Sequence, residues 1–269
     1  MMDLQMAMTG GQFADMVAPL GGSQTYGTAS GSMVNGLVGA FGGGVISNVD
    51  WAYFDFSDGS DYTGKAKATG FAGKIGAVFK INPKFSVGVT YHSKTDLGDM
   101  DGNAVLSMQI DTGANGAGMG LPPSASDVVL PVKGKISVVD FQWPETYGVG
   151  LSYQATDRLM VAADYKRINW ADVMKDFKMT FTADNILTNG AFAGASLDAT
   201  MFQNWDDQDV FMIGVSYKAT AEMTLRAGAN VANNPIPDRY MNPLFPAIEK
   251  SHYTVGIGYA LNPSSDLNF

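Results

Sequence analysis

One seven-residue pattern of apolar and small residues occurs four times along the chain. It consists of an aromatic residue, any residue, Val or Ile, Gly, an aliphatic residue, a small residue and Tyr. The four copies are Phe85–Tyr91, Tyr147–Tyr153, Phe211–Tyr217 and Tyr253–Tyr259. Because residues two apart in a β-strand share a face, each copy places its aromatic and aliphatic side chains on one face and only Gly, Ser, Thr or Met on the other.

The two faces of these strands indicate a membrane-spanning sheet. A soluble sandwich would need charged residues on its exposed face, and the second face here is small and uncharged. Aromatic residues at both ends of an aliphatic centre are typical of a lipid-facing surface between two interfacial belts. We therefore predict an all-β protein, an antiparallel up-and-down transmembrane β-barrel.

The composition excludes several other classes of protein. The 269 residues are 46% hydrophobic with a mean hydropathy near zero. No apolar run approaches the roughly 18 residues that a transmembrane helix needs. The absence of cysteine rules out disulfides and cysteine-based metal sites. A net charge of −9 argues against nucleic acid as a partner.

Short and long connections alternate along the chain, as an up-and-down barrel requires. The short turns lie at Asn82–Pro83, Thr156–Asp157 and Thr220–Ala221, and the long extracellular loops at 96–138, 182–207 and 233–249. With a further wall strand at Trp51–Phe56, residues 49–262 supply about eight strands. Pro144 falls inside the predicted strand 139–155, where its missing donor predicts a bulge or a kink.

The two ends of the chain do not show this alternation. Residues 1–48 are predicted to form a Met- and Gly-rich extracellular loop segment, and residues 263–269 a truncated turn. The first residues lack the basic and apolar regions of a signal peptide. We therefore expect the chain to be a fragment that is cut at both ends.

Several short motifs occur in an order that resembles the FadL-type outer-membrane transporters (OMPP1/FadL/TodX). They are Gly120–Ser126, Gln142–Thr146, Ala155–Leu159, Asn169–Asp172, Asn233–Arg239 and His252–Asn262. The resemblance covers about 49–262 and rests on the order and spacing of these motifs rather than on any one of them.

The resemblance implies a monomeric fourteen-stranded barrel in the bacterial outer membrane that takes up long-chain fatty acids or other hydrophobic compounds. Such barrels are plugged by an N-terminal hatch, and this chain would lack the hatch and the last hairpin. The implied partners are a hydrophobic small molecule and outer-membrane lipid, with no cofactor and no metal. A non-specific porin or a structural barrel is the main alternative, and an outer-membrane lipid-modifying enzyme is a further one.

Arg226 is the first candidate for binding a ligand. Its parity places it in mid-strand on the inner face, where its guanidinium would pair with a fatty-acid carboxylate. An ion pair with Glu222, Asp209 or another acidic residue of the barrel interior is the structural alternative. The sequence leaves both interpretations open.

Other candidates follow from the resemblance and from the methionine content. Arg239 follows the proline-containing stretch, and Lys175 and Lys178 follow Trp170, where the family carries a lysine in the lumen. Methionine fills irregular apolar sites, so methionines of the first long loop are expected to line an apolar surface together with those of residues 1–48. These loop residues are Met100, Met108 and Met119.

The chain offers little for catalysis or metal binding. His92 and His252 fall on the inner face, but Ser93 points away from His92 because adjacent strand residues face opposite ways. We therefore predict no enzymatic activity. The acidic turns at 55–61 and 96–103 lack the spacing of a calcium loop and are predicted to be solvated.

Overall fold

The computed structural model of the protein describes residues 5–55, 66–241, 249–262 and 265–269. These residues form two large antiparallel sheets, a two-stranded ladder and two α-helices. In chain order the strands are β1 Gln5–Thr9, β2 Gly27–Ser30, β3 Ile46–Asp55, β4 Gly70–Phe71, β5 Lys74–Asn82, β6 Phe85–His92, β7 Asp96–Leu97, β8 Met100–Thr112, β9 Val128–Val139, β10 Thr146–Gln154, β11 Leu159–Ile168, β12 Asp176–Ala183, β13 Ser196–Phe202, β14 Gln208–Lys218, β15 Met223–Ala232, β16 Ser251–Asn262 and β17 Ser265–Asn268. The helices are α1 Gly10–Met16 and α2 Ser32–Gly42, and short 3-10 turns cover Ala18–Leu20, Gly116–Met119, Trp170–Asp172, Leu187–Phe192 and Asp238–Tyr240.

The first large sheet, called the wall sheet below, contains eight strands in the order β17-β16-β15-β14-β11-β10-β6-β5. Short turns join β5 to β6, β10 to β11 and β14 to β15 at the three predicted places. The up-and-down order predicted from the turn lengths is therefore confirmed for these six strands. The sheet is open, with β5 and β17 as its two edges.

The register of the wall sheet separates its side chains by parity. Odd-numbered residues pair with odd and even with even in every pairing, apart from bulges near Asn82 and Asn262. Val149 lies between Val89 and Tyr165 in this register. We call the two surfaces the odd face and the even face.

The odd face is apolar and uncovered. Val149, Ile213 and Val255 in its centre are 42%, 58% and 89% exposed. Tyr91 pairs with Tyr147 toward one end of this face, and another aromatic pair lies toward the other end. Exposed aliphatic side chains between rows of aromatic rings are the surface expected to meet lipid in an outer-membrane barrel.

The even face carries small residues that accommodate the longer side chains of neighbouring strands. A Cβ atom on Gly150 would collide with the carboxylate of Asp164. A Cβ atom on Gly258 would lie 2.8 Å from Nη1 of Arg226. Glycine at these positions therefore lets the neighbouring side chain lie flat against the sheet.

The second large sheet contains seven strands in the order β1-β3-β8-β9-β12-β13-β2, and α1 and α2 pack against it. The main hydrophobic core lies between these helices and the sheet and contains Phe54, Phe181, Met33 and Leu37. Within the described ranges, no helix is both long and apolar enough to cross a membrane.

The second sheet continues the strand order of the wall sheet. The β8–β9 hairpin extends β6 and β10, and the β12–β13 hairpin extends β11 and β14. The chain passes between the sheets at 93–99, 140–145, 169–175 and 203–207, which we call the junction. The junction therefore fixes how the core of the second sheet sits beside the wall.

Two predicted positions at the ends of the wall were wrong. The strand predicted at Trp51–Phe56 belongs to β3 of the second sheet, where Ala52 and Phe54 are buried; Phe56 itself lies outside the described residues. Alternation alone does not distinguish a strand that packs against helices from one that meets lipid. The eighth wall strand is β17, within the predicted turn 263–269, because Ser265–Asn268 pairs with β16.

Much of the chain predicted as loop is strand or helix. The segment 96–138 holds β8 and β9, and the segment 182–207 holds the end of β12 and all of β13. Residues 5–48 contain β1, α1, β2 and α2 rather than an irregular segment. The glycines and prolines that suggested a loop in 96–138 are concentrated in the 113–127 connection between β8 and β9. In 233–249, the described residues form no strand, only the turn Asp238–Tyr240.

Pro144 does not kink a continuous strand as predicted. It lies in the junction, between the end of β9 at Val139 and the start of β10 at Thr146. Proline lacks the amide donor of a ladder, and Asp140 adopts a φ of +56° that also leaves the extended region. The ladder is therefore interrupted here rather than bulged.

Candidate functional site

A small apolar cavity lies between the two helices and the second sheet. Its volume is about 20 Å³ and no polar atom lines it. The lining consists of Phe13 of α1, Met33 and Leu37 of α2, Ala52 and Phe54 of β3, Leu106 and Met108 of β8, and Leu197 of β13. Such a cavity offers apolar contacts and no hydrogen bond, so it suits an uncharged hydrophobic group.

The local sequence explains why these side chains meet. In the β3–β8 pairing, Ala52 lies opposite Met108 and Phe54 opposite Leu106, so all four share the face that the helices cover. In α2, Met33 and Leu37 are four residues apart and therefore lie on one side of the helix. The apolar side chains of the sheet and those of the helix therefore face each other across the cavity.

Helix α1 is held in place by polar contacts at both ends. Thr9 caps its start by accepting a hydrogen bond from the Gln12 amide at 3.2 Å, and the Gln12 side chain accepts one from the Thr9 amide at 3.0 Å. Near its end, Asp15 accepts hydrogen bonds from the Ser23 hydroxyl at 2.5 Å and the Thr25 amide at 2.7 Å. The bond from Ser23 is the main reason that the pKa of Asp15 lies below its usual range.

Aromatic rings connect the main core with the junction. Phe177 of the core lies 6.2 Å from Phe141, and Phe141 lies 5.6 Å from Trp143, measured between ring centroids. Trp143 lies 6.2 Å from Trp170, which lies 5.0 Å from Trp205. Each junction segment that contributes a tryptophan is thereby packed against the next. This cluster was not predicted from the sequence, in which Trp143 and Trp170 stand only as positions of two short motifs.

Lys175 and Lys178 lie in the same polar cleft at the junction. The cleft has a volume of about 520 Å³ and is also lined by Lys94 and by acidic residues of the junction and β12. Nζ of Lys178 lies 3.7 Å from a carboxylate oxygen of Asp140, and both side chains are exposed. The cleft therefore mixes charges of both signs, and neither lysine belongs to the even face of the wall sheet.

Arg226 lies on the even face, in the middle of β15, as its parity predicted. Its Nη1 donates a hydrogen bond to Oδ1 of Asn268 at 2.9 Å. Among the residues that the structure describes, it forms no ion pair with Glu222 or Asp209. Its hydrogen-bond partner in the described chain is therefore a neutral amide.

The remaining candidates lie apart from one another. Arg239 belongs to the turn Asp238–Tyr240 and lies over the ring of Tyr240, 5.9 Å from its centroid. Met108 lines the apolar cavity together with Met33, whereas Met100 packs at the edge of the core and Met119 is exposed in the Gly116–Met119 turn. The expected meeting of loop methionines with those of residues 1–48 thus occurs at Met108. Whether any of these residues binds a ligand stays a prediction.

A polar network ends the odd face at the junction. Glu145 accepts hydrogen bonds from the hydroxyls of Tyr91 at 2.6 Å and Tyr147 at 2.5 Å, and from the Asn169 amide at 3.2 Å. These donors, Tyr147 foremost, hold the pKa of Glu145 below its usual range. The two tyrosines therefore turn their hydroxyls from the apolar face toward a carboxylate at its boundary.

Known proteins resemble this chain in both sequence and architecture. Residues 18–269 match the sequence model of the family described as outer membrane protein transport protein (OMPP1/FadL/TodX). Outer membrane protein P1 of Haemophilus influenzae is 23% identical over 207 residues, which cover 75% of this chain and 38% of that protein.

Two solved structures resemble most of this chain. The toluene transporter TodX of Pseudomonas putida is 29% identical with a TM-score of 0.72, over 98% of this chain and 55% of TodX. The toluene transporter TbuX of Ralstonia pickettii is 29% identical with a TM-score of 0.64, over 89% of this chain and 48% of TbuX. The chain thus spans about half the length of these relatives.

These matches confirm the family resemblance, the β-barrel fold class and the outer-membrane location that the strand pattern and the motif order predicted. The family model covers 252 of the 269 residues, from 18 to 269. The chain therefore belongs to the OMPP1/FadL/TodX family of outer membrane transport proteins.

Proposed function

We propose that the protein takes up small neutral hydrophobic compounds through the outer membrane, and that the apolar cavity under α1 and α2 receives them. The observation that carries the proposal is the lining of this cavity, which contains apolar side chains alone. Burial of apolar area stabilises a bound uncharged hydrocarbon. Such a ligand has no polar group that would be left without a hydrogen bond in this cavity. A transport family also fits the expectation that the chain is not an enzyme.

The known relatives support a small aromatic compound as the ligand. TodX and TbuX are both named as toluene transporters, and each is 29% identical to this chain over the aligned residues. The cavity volume of about 20 Å³ leaves room for about one water molecule and is smaller than an aromatic ring requires. A ring would therefore enter as Met33 and Met108 change rotamer, which their unbranched side chains allow.

Long-chain fatty acids are the second candidate. The observation that favours them is the guanidinium of Arg226 on the even face, whose partner in the described chain is the neutral amide of Asn268. A carboxylate needs such a cation, and the cavity under the helices supplies none. The two classes of ligand would therefore bind at different places, neutral compounds in the cavity under the helices and fatty acids at Arg226.

Filling the cavity should reduce uptake of the neutral compound. We expect Ala52→Leu to lower toluene uptake by whole cells about tenfold, the factor that corresponds to about 1.4 kcal/mol of lost binding. Ala104→Leu is the matched control, because Ala104 is buried in the same core but does not line the cavity. Both variants overpack the core, so both should lose comparable stability.

The measurement is uptake of radiolabelled toluene, normalised to the amount of folded protein in the outer membrane. Equal losses in the two variants would show that the cavity is a packing defect and not a ligand site. Toluene uptake that does not change when the protein is deleted from the cells would contradict the proposed function itself.

A further inference from the structure

The even face of the wall sheet is positively charged although the chain is acidic. Histidines aside, the even-numbered positions of the wall strands carry five cations and two carboxylates, a net charge of +3, against −9 for the whole chain. The cations are Lys74, Lys80, Lys166, Lys218 and Arg226, and the carboxylates are Asp164 and Asp266. A surface of this kind attracts anions.

Arg226 is the cation of this face with the most defined surroundings. Across the sheet, a Cβ atom on Gly258 would lie 2.8 Å from its Nη1 and 3.3 Å from its Nη2. The guanidinium therefore lies flat over the backbone of Gly258, and only glycine leaves that space free. Gly258 is buried as a result, although the face around it is open.

Asn268 fixes the guanidinium from the side. Its Oδ1 accepts a hydrogen bond from Nη1 of Arg226 at 2.9 Å, and its Nδ2 donates one to Asp266. The arginine is only a donor and the carboxylate only an acceptor, so the amide has a single orientation that satisfies both. Asn268 thus links Arg226 to Asp266 through hydrogen bonds, and among the described residues the two charged groups form no ion pair.

We propose that Gly258 and Asn268 are positioning residues that hold the Arg226 guanidinium flat without pairing it with a carboxylate, so that its open edge is available to the carboxylate head group of a long-chain amphiphile. The inference rests on the proposed uptake function and adds to it a site for the charged class of ligand. A planar guanidinium binds a carboxylate through two parallel hydrogen bonds, and among the described residues only Nη1 is engaged. The glycine sets the plane of the group, and the asparagine holds Nη1 through a neutral amide.

Replacing Asn268 by aspartate tests this assignment with almost no change of shape. The new carboxylate would pair with Arg226 and compete with the ligand. We expect Asn268→Asp to weaken binding of hexadecanoate tenfold or more, as loss of a hydrogen bond to a charged group does, and to leave binding of hexadecan-1-ol within about twofold. Gly258→Ala should act in the same direction by lifting the guanidinium from the sheet.

The matched control is Gly214→Ala, on the same face, where the nearest atom to an added Cβ lies 3.9 Å away. The measurement is equilibrium binding of radiolabelled hexadecanoate and hexadecan-1-ol to the whole protein in detergent, at a pH where the acid is ionised. In the Arg226→Ala background, Asn268→Asp should cause no further loss, because it acts only through the arginine.

Two results would overturn the assignment. One is unchanged hexadecanoate binding in Asn268→Asp, and the other is an equal loss for acid and alcohol, which would mean a general change of fold. Toluene uptake by cells that express these variants separates the two proposals. If toluene uptake persists while Asn268→Asp leaves hexadecanoate binding unchanged, the proposed head-group site is wrong and the proposed uptake function stands.

Discussion

Phe181→Ala should lower the free energy of unfolding of the second sheet by about 3–5 kcal/mol. Phe181 is 1% exposed, and its ring centroid lies 5.5 Å from that of Phe54, which borders the apolar cavity. Truncation removes the apolar contacts of one ring and leaves an enlarged cavity beside the other. The core under α1 and α2 is expected to open as a unit.

Limited proteolysis of the 184–195 connection between β12 and β13, followed in increasing denaturant, measures this effect. Thr182→Ala is the control, because Thr182 neighbours Phe181 on the exposed side of the same strand. We expect the control to change the midpoint little. A Phe181→Ala midpoint equal to that of wild type would contradict the assignment of this core as the stabilising element of the second sheet.

Ile213→Arg should destabilise the folded protein in lipid by about 2–4 kcal/mol, the cost of a basic side chain at mid-membrane on the outside of a barrel. Ile213 lies between Ala163 and Ala229 in the centre of the odd face and is 58% exposed. Met212→Arg is the matched substitution one residue earlier. Met212 lies on the even face opposite Asp164, so an arginine there gains a carboxylate neighbour instead of lipid.

Refolding of both variants into lipid vesicles in a urea series provides the comparison. We expect the Ile213→Arg transition to move to much lower urea than that of Met212→Arg. Similar transitions for the two variants would mean that the faces of the wall sheet do not meet different surroundings.

The wall sheet was predictable from the sequence because its two faces differ in chemistry. The four seven-residue copies fix the parity of β6, β10, β14 and β16, and the short turns fix their neighbours. In a sheet, a register shift of one residue would move every side chain to the wrong face. The pattern therefore predicts that Val149 and Val89 share one face and that Gly150 and Gly88 share the other, whereas their exact pairing is known only from the structure.

The second sheet was not predictable in the same way. β3 alternates as a wall strand would, and only its burial under α1 and α2 assigns it to another sheet. The signal for α2 is present in the spacing of Met33, Leu37 and Ala40, all buried on one side, but the surrounding glycines suggested an irregular loop. Helical periodicity over so short a segment competes with a composition that disfavours helix.

The partners of the candidate site depend on contacts between distant segments. Asn268 meets Arg226 only because β17 pairs with β16 and β16 with β15. The sequence of β17 has no strong alternation, so backbone pairing with an existing edge, rather than side-chain pattern, makes it a strand. Glu145 is a similar case, since its three donors come from β6, β10 and the junction.

Cysteine labelling of the wall sheet tests most directly whether the odd face meets lipid and the even face lines the interior. The protein has no cysteine of its own, so each introduced thiol reports one position. In intact protein in native membranes, a water-soluble maleimide should react with Gly214→Cys much faster than with the neighbouring Ile213→Cys. Cysteines at the other central positions of the odd face should likewise react much more slowly than cysteines on the even face. These odd-face positions are Val87, Val89, Val149, Leu151, Val215, Val255 and Ile257. Equal labelling rates at odd and even positions would contradict this orientation of the wall sheet in the membrane.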